Sequence, residues 1–416
     1  MREICVKKTE YLKGNITIQG SKNTVLPIMA ATLLSSGISV IYNCPMIEDV
    51  SVMCQLLECL NAKTKFENHV LTIDTREVEY APLPCSLTTR LRSSILLLGP
   101  MLARWKKVEL GVPGGCAIGL RPIDIHLQGF AKMNVDIQAD NDMVIGNTYY
   151  LQGSVIQLRF PSVGATENLI MTAVAAHGRT ILRGVAKEPE IIELCNYLIS
   201  MGALIEGVGT DVLIIKGTSQ LESCDYCNVY DRIVAGTYLL MTAAIPSDIR
   251  LYGIDDICYI KNILNVVASL GVNVIKYDDY LSVQSFGKVI GGSFCTGIYP
   301  EFPTDLLSVL IAVLVKAESA SRIEETIFEN RLGILQELEK LGASFDVCEG
   351  IVCMEGNAQL QGATLVATDL RQGAALVIAG LLSAQSTIVK NILYIERGYE
   401  DIVRDLQNVG AQIEYV

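Results

Sequence analysis

Three histidines in 416 residues, far apart from one another, leave little from which to build a histidine-rich metal centre. The one Cys-x-x-C, Cys224 and Cys227, has no second pair to complete a four-thiolate site, so zinc is not expected. No apolar run reaches the length of a membrane span. The longest, at residues 306–315 and 374–382, come to roughly half of it and read as buried helices. The N-terminal MREICVKKTEYLKG lacks the apolar core of a signal peptide, and no low-complexity tract interrupts the chain. Basic charge is scarce as well. The 33 Lys and Arg against 45 Asp and Glu leave a net charge of −12, whose long-range field repels nucleic acid and anionic membranes alike. An anionic substrate would have to be gripped locally, by a few basic groups set in a cleft.

What is present is apolar. Half the residues are hydrophobic and 19% are charged, enough for a large interior and too apolar for disorder. The length fits two to three domains. Thirteen cysteines, an odd number with no signal sequence, point to reduced thiols and a cytoplasmic location.

One pattern recurs about every 70 residues: a helix ending in a Gly-Ala-like pair, then a short hairpin. The pairs are Asn61-Ala62, Asn134-Val135, Gly202-Ala203, Gly271-Val272, Gly342-Ala343 and Gly410-Ala411. In the third copy SVIQLRF alternates like a strand, and SVGATENLIMTAVAAHG reads as an apolar helix closed by glycine. RTILRGV is a second strand, and EPEIIELCNYLISMGA is an amphipathic helix with Ile191, Leu194, Cys195 and Leu198 on one face. LIEGVGTDVLIIKG closes the unit as a hairpin, so the order is β-α-β-α-β-β. The first copy, from GNITIQG to KTKFENHVLTI, reads the same way, although its first strand could cross to the C-terminal part of the chain. The fold class is α+β. A solenoid scaffold is the alternative architecture, but units of this size carry strands and helices in their own cores, which favours two clusters of three.

The repeat defines two strand-to-helix junctions per unit, each with backbone N–H groups that favour anions. The first kind reads GSKN (20–23), TTRLRSS (88–94), PSVGATEN (161–168), YDRIVAGT (230–237), FPTDLL (302–307) and TDLRQGA (368–374). The second kind includes VPGGCAIGLRPID (112–124), AKEPEI (186–191), FENRLG (328–333) and IERGYED (395–401). For Asp305 and Asp369 alone, capping of a helix start is sufficient explanation. Cations in a first helical turn are opposed by the helix dipole, yet Lys22, Arg92, Arg121, Arg331, Arg371 and Arg397 all lie at or beside these junctions. Any one of them could be answered by a salt bridge. Six together point to a polyanionic ligand. Cys116, in a glycine-rich stretch near Arg121, is either an inert thiol or one tuned for acid–base or covalent work.

These junctions, in this order and spacing, resemble the UDP-N-acetylglucosamine 1-carboxyvinyltransferase family end to end. The pieces are GSKN, PGGCAIG followed by LRPIDIH, PSVGATEN, AKEPEI, YDRIVAGT, FPTD, FENR, ATDLR and IERGYE. The resemblance implies a two-domain inside-out α/β barrel of the enolpyruvyl transferase type, with six βαβαββ units, three per domain. Residues 21–228 would form one domain, carrying a catalytic loop at 112–121. Residues 1–20 with 229–416 would form the other, with the active site in the cleft between them. It implies transfer of the enolpyruvyl group of phosphoenolpyruvate to the 3-hydroxyl of UDP-N-acetylglucosamine, with release of phosphate, as the first committed step of peptidoglycan precursor synthesis.

By the same resemblance Cys116 would protonate the methylene carbon, with covalent addition also open to it, and Asp305 would be the base for the hydroxyl. Lys22, Arg121 and Arg397 would hold the phosphate, and Arg331 and Arg371 the carboxylate. Asn23, Arg92, Ser162, Val163, Gly164, Asp305 and Ile327 would contact the sugar nucleotide, with Pro122 and Asp124 near the uracil. No metal or organic cofactor is implied. Phe160, Val234, Leu332 and Gly333 depart from the family pattern, and with Phe160 in place of a lysine the diphosphate would lean on Arg159 or His126. The rival readings are 3-phosphoshikimate 1-carboxyvinyltransferase, which shares fold and donor but is not expected to carry the PGGCAIG loop, and a catalytically idle paralogue. The order of proton transfers between Cys116 and Asp305 is open, as is the oligomeric state.

Overall fold

The computed structural model describes residues 2–114, 119 and 122–416. The chain divides into two compact units, one made from the first 19 residues together with 230–416, the other from most of residues 20–229. Each unit holds three small sheets among the described residues. Among the described residues no helix is long and apolar enough to cross a membrane.

The repeat dictates both secondary structure and layering. The helix that follows the first strand of a unit is apolar on every side, and such a helix must be surrounded. In the 230–416 unit, helices Arg232–Ala244, Leu307–Leu314 and Leu370–Leu382 pack against one another. All 13 residues of the last are buried. In the other unit, Leu98–Trp105 packs on Val163–Ala173, and the 3-10 turn Arg92–Leu97 joins both to Lys22–Ala31. Strands alternate buried and exposed positions, as in Arg179–Arg183, because only one face of each sheet covers the helices. These first helices are therefore inside, with the sheets outside them. Truncating the fully buried Leu376 to alanine would cost about 2–5 kcal/mol. The second helix of the third unit, Pro189–Ser200, buries Ile191, Leu194, Cys195 and Leu198 as its spacing predicts.

All six Gly-Ala-like pairs are helix C-caps. Asn61, Asn134, Gly202, Gly271, Gly342 and Gly410 all have left-handed φ, between 62° and 100°. The next residue in each case is buried and donates its N–H five residues back, for example Ala62 to Leu57 (3.1 Å) and Ala411 to Leu406 (3.0 Å). This closure needs a residue that tolerates positive φ, which is why only Gly and Asn occur there.

Within a complete sheet the unit's first strand runs parallel to its second, and the hairpin completes the sheet on the other side, as in Val155–Gln157, Arg179–Arg183, Val212–Lys216 and Leu204–Glu206. Two placements bear on the reading of the first copy: its first strand does cross to the C-terminal part of the chain, and it therefore does not open the first unit. Leu12–Thr17, within and around GNITIQG, is not the first strand of the first unit. It pairs in parallel with Pro246–Tyr252 and so opens the fourth. The first unit is opened instead by Tyr226–Cys227, parallel to Ile38–Tyr42. Ile4–Val6 lies between Thr387–Lys390 and Ile413–Tyr415, in the place of a sixth-unit hairpin strand. Strand pairing is indifferent to distance along the chain, so the N-terminus fills positions that the C-terminal units leave open. In the second unit the first strand shrinks to one bridge, Leu83 with Leu110. Pro82 and Pro84 flank Leu83 and have no N–H to extend a ladder.

Candidate active site

In the 230–416 unit the aspartates at the two helix starts behave differently. Asp369 caps its helix, accepting from the N–H groups of Arg371 (2.8 Å) and Gln372 (3.0 Å). Asp305 lies in the 3-10 turn Thr304–Leu306 before Leu307–Leu314 and caps nothing. Its Oδ2 accepts from Arg371 Nη2 at 2.9 Å, and its Oδ1 from Arg331 Nη2. Arg331 Nε also donates to the Thr304 carbonyl at 3.1 Å. Arg331 and Arg371 are 4% and 5% exposed, whereas the Asp305 side chain is 28% exposed. Arg371 Nη1 is buried with no hydrogen-bond partner among the described residues. Burial alone would raise the Asp305 pKa, but the charges of Arg371, Arg331 and Arg232 outweigh it and hold the carboxyl well below its usual range. Burial likewise works against the charge on Arg371, and Asp305, Tyr399 and Asp231 more than restore it.

One carboxylate organises this corner. Glu325 Oε2 accepts from the hydroxyls of Thr296 and Thr304, both at 2.9 Å, and its Oε1 from the N–H groups of Ile327 (2.7 Å) and Phe328 (2.9 Å). It thus joins the turn bearing Asp305 to the segment that leads through Ile327 to Arg331. Gln19 does similar work beside Arg397, which ends the short helix Leu393–Glu396. Its amide donates to the Gly398 carbonyl (3.0 Å) and accepts from the Glu400 N–H (2.9 Å). Arg397 is half-buried.

In the unit of residues 20–229 two helix starts, those of Lys22–Ala31 and Val163–Ala173, are capped by serine. Ser21 accepts from Thr24 N–H (3.3 Å) and Ser162 from Ala165 N–H (3.4 Å). The turn before Lys22–Ala31 is fixed tightly, since a Cβ on Gly20 would lie 1.8 Å from the Asn43 carbonyl oxygen. The Asn228 amide donates to the carbonyls of Ser21 and Asn43, both at 3.1 Å. Lys22, one of the junction cations, pairs with buried Asp49 at 2.7 Å. Asn23 beside it is half-buried. Arg92 reaches the Pro113 carbonyl at 3.5 Å. Val163 and Gly164 are half-buried in the first turn of Val163–Ala173, where a Cβ on Gly164 would come 3.3 Å from His126 Nε2. Asp124 opens the helix Asp124–Lys132 and is ion-paired with Arg159, and Pro122 before it is exposed. Cys116 and Arg121 lie outside the described residues.

Asp305, Arg331 and Arg371 are thus brought into one cluster, with Ile327 tied to it through Glu325. Salt bridges account for Lys22, Arg331 and Arg371 without a ligand, so the count of junction cations is a weaker pointer than it reads in the sequence. Asp49, Glu325, Gln19 and Asn228 were missed. Asp49 alone had a legible signal, an acid at a second-kind junction in IEDV. Gln19 and Asn228 act through backbone partners, and Glu325 through two backbone N–H groups and two threonine hydroxyls, none of which a motif displays.

Comparison with known proteins agrees with this architecture. Residues 6–406 match the family model described as EPSP synthase (3-phosphoshikimate 1-carboxyvinyltransferase). The chain is 39% identical over 404 residues to the UDP-N-acetylglucosamine 1-carboxyvinyltransferase 2 of Caldanaerobacter subterraneus subsp. tengcongensis, covering 97% of this chain and 96% of that one. It is 38% identical over 418 residues to the UDP-N-acetylglucosamine 1-carboxyvinyltransferase of Halothermothrix orenii, covering 100% of both. Among solved structures, the enolpyruvyl transferase NikO from Streptomyces tendae matches with a TM-score of 0.90 at 23% identity, over 100% of this chain and 99% of that one. EPSP synthase from Acinetobacter baumannii matches at 0.77 and 15%, over 100% of both chains. At those identities the structural likeness speaks to fold alone.

Proposed function

We propose, because this chain belongs to the UDP-N-acetylglucosamine 1-carboxyvinyltransferases within the wider EPSP synthase family, that it transfers the enolpyruvyl group of phosphoenolpyruvate to the 3-hydroxyl of UDP-N-acetylglucosamine. Phosphate is released, and the product feeds peptidoglycan precursor synthesis in the cytoplasm. The observation that most supports this reading is the pair of buried guanidiniums, Arg331 and Arg371, converging on a single carboxylate. A planar fork suits a carboxylate, and the donor carries one.

Asp305 takes the acceptor hydroxyl's proton and Cys116 protonates the methylene carbon. Lys22, Arg121 and Arg397 hold the phosphate, and Arg331 and Arg371 the donor carboxylate. Asn23, Arg92, Ser162, Val163, Gly164 and Ile327 hold the sugar nucleotide. The serine-capped start at Ser162 supports this, since its N-terminal N–H groups favour a diphosphate. Pro122 and Asp124 lie by the uracil. Because Arg159 is ion-paired with Asp124, His126 beside Gly164 is the better placed of the two substitutes for the lysine that Phe160 replaces. Val234 is fully buried in its helix, so that departure bears on packing.

Phosphate release from phosphoenolpyruvate, with UDP-N-acetylglucosamine or shikimate 3-phosphate as acceptor, tests the reaction. Release with the sugar nucleotide alone is expected. Release only with shikimate 3-phosphate would reassign the acceptor, and silence with both, from folded protein that binds the nucleotide, would mean an idle paralogue. Fosfomycin, an epoxide that alkylates the loop cysteine of this family, is expected to inactivate the protein with a mass shift on Cys116. Inactivation with the shift on another cysteine would overturn the role given to Cys116.

A further inference from the structure

The proposed base and the proposed donor carboxylate have the same two partners. Each oxygen of the Asp305 carboxylate is taken by a different guanidinium, Arg331 on one and Arg371 on the other. Both arginines are more than nine-tenths buried, so neither can turn to solvent for a second anion. Arg331 is further fixed through Nε to the Thr304 carbonyl. Of the two guanidiniums, Arg371 has one nitrogen, Nη1, buried and without a partner among the described residues. Asp305, by contrast, is the more exposed member and sits in a 3-10 turn with no capping duty to hold it.

We infer that Asp305 in the free enzyme is a placeholder for the donor carboxylate, and that binding of phosphoenolpyruvate exchanges one carboxylate for the other on Arg331 and Arg371. This rests on the reading of the donor given above and goes beyond it, because it makes the donor switch the base on. While clamped, Asp305 is stabilised as an anion by Arg371, Arg331 and Arg232 against the opposing effect of burial, and it accepts a proton poorly. Once the donor carboxylate neutralises the two guanidiniums, Asp305 is released and its basicity rises. As the acceptor oxygen then bonds to C2 of the donor, the C2–C3 π pair moves to C3 and takes a proton from the acid. The acceptor hydroxyl's proton passes to Asp305, which becomes a carboxylic acid, and the acid is left as its conjugate base. Proton abstraction is thereby confined to the complex that holds the electrophile.

An occupant that must be displaced lowers apparent affinity by the fraction of protein still free of it. Asp305→Asn should therefore bind phosphoenolpyruvate alone about tenfold more tightly than wild type, a value that corresponds to a clamp closed roughly nine-tenths of the time. Calorimetric titration reads this directly, with inorganic phosphate as the probe that carries no carboxylate. Phosphate should tighten by less than about twofold, and combining Asp305→Asn with Arg371→Lys should abolish the gain for phosphoenolpyruvate. Equal tightening for both anions would mean that only the local field had changed, and unchanged or weaker donor binding would mean no competition; either overturns the exchange. Should Asp305→Asn fail to fold, a structure of the wild type with phosphoenolpyruvate decides. Asp305 still on both arginines, with the donor seated on Arg371 Nη1, sinks the inference. Wild-type turnover with UDP-N-acetylglucosamine is measured in parallel. Its absence would undo the functional reading, while an active wild type with unaltered donor binding in the variant would undo the exchange alone.

Discussion

The two units start their buried helices in chemically different ways. Between residues 20 and 229 the caps at Ser21 and Ser162 are neutral, and each satisfies one N–H while leaving the partial positive charge of the helix end in place. Beyond residue 230 the caps at Asp231 and Asp369 are anionic and each accepts two N–H groups. Such an end is already neutralised. Positive charge in that unit comes from side chains instead, Arg331 and Arg371, and these converge on Asp305, a helix-start aspartate that is not a cap. Equivalent junctions of a repeat can therefore carry opposite duties. A neutral cap keeps an anion site open. An acidic cap closes it and hands anion binding to arginine.

The largest effect expected is at Asp305. Asp305→Ala should lower turnover by about 10²–10⁴-fold in the phosphate-release assay, the range for losing a general base. Near-normal turnover would reduce Asp305 to a structural partner of its arginines and remove the contrast with Asp369. Next comes Asp405, an acid of the same unit whose carboxyl burial pushes up to about 6, with Tyr238 donating to it at 2.9 Å. Its folded pKa lies above the unfolded value near 4, so between about pH 4 and 6 the folded state keeps a proton that the unfolded state has lost. Stability should fall as pH rises through that window and stay lower above it. Asp405→Asn should abolish the fall and add about 2–3 kcal/mol at pH 7 in denaturant unfolding; a variant with the wild-type pH profile would show that Asp405 is not its source.

The smaller effects exchange the caps. Ser162→Asp should weaken UDP-N-acetylglucosamine binding by about tenfold, since a carboxylate would oppose the diphosphate at a helix end that otherwise attracts it, and leave the melting temperature unchanged or higher. Undiminished nucleotide affinity would remove that helix start from the site. The reverse change, Asp369→Ser, should cost less than about 1 kcal/mol of stability and leave nucleotide affinity untouched, because one side-chain acceptor replaces another. A loss of nucleotide binding there would end the division of labour between the two kinds of cap.

Much of this was legible in the chain. Left-handed Asn61, Asn134, Gly202, Gly271, Gly342 and Gly410 mark six helix ends, because few residues accept that backbone conformation. The all-apolar helices announce that they are internal, as Leu370–Leu382 shows with every residue buried. The site was legible in part. FPTD and TDLR look alike, and nothing local tells that Asp369 caps while Asp305 turns to two arginines 26 and 66 residues away. Lys22 looks like an anion ligand until Asp49, from the next helix, is seen against it.

Helix interiors, the turns that end them and the number of units follow from local residue order, since each depends on side-chain periodicity or backbone sterics within a few residues. Tertiary structure alone decided which strand opens which sheet, placing Leu12–Thr17 against Pro246–Tyr252 and Tyr226–Cys227 against Ile38–Tyr42. It alone also decided which charges meet. Strand pairing and ion pairing both follow distance in space, and distance along the chain does not constrain them.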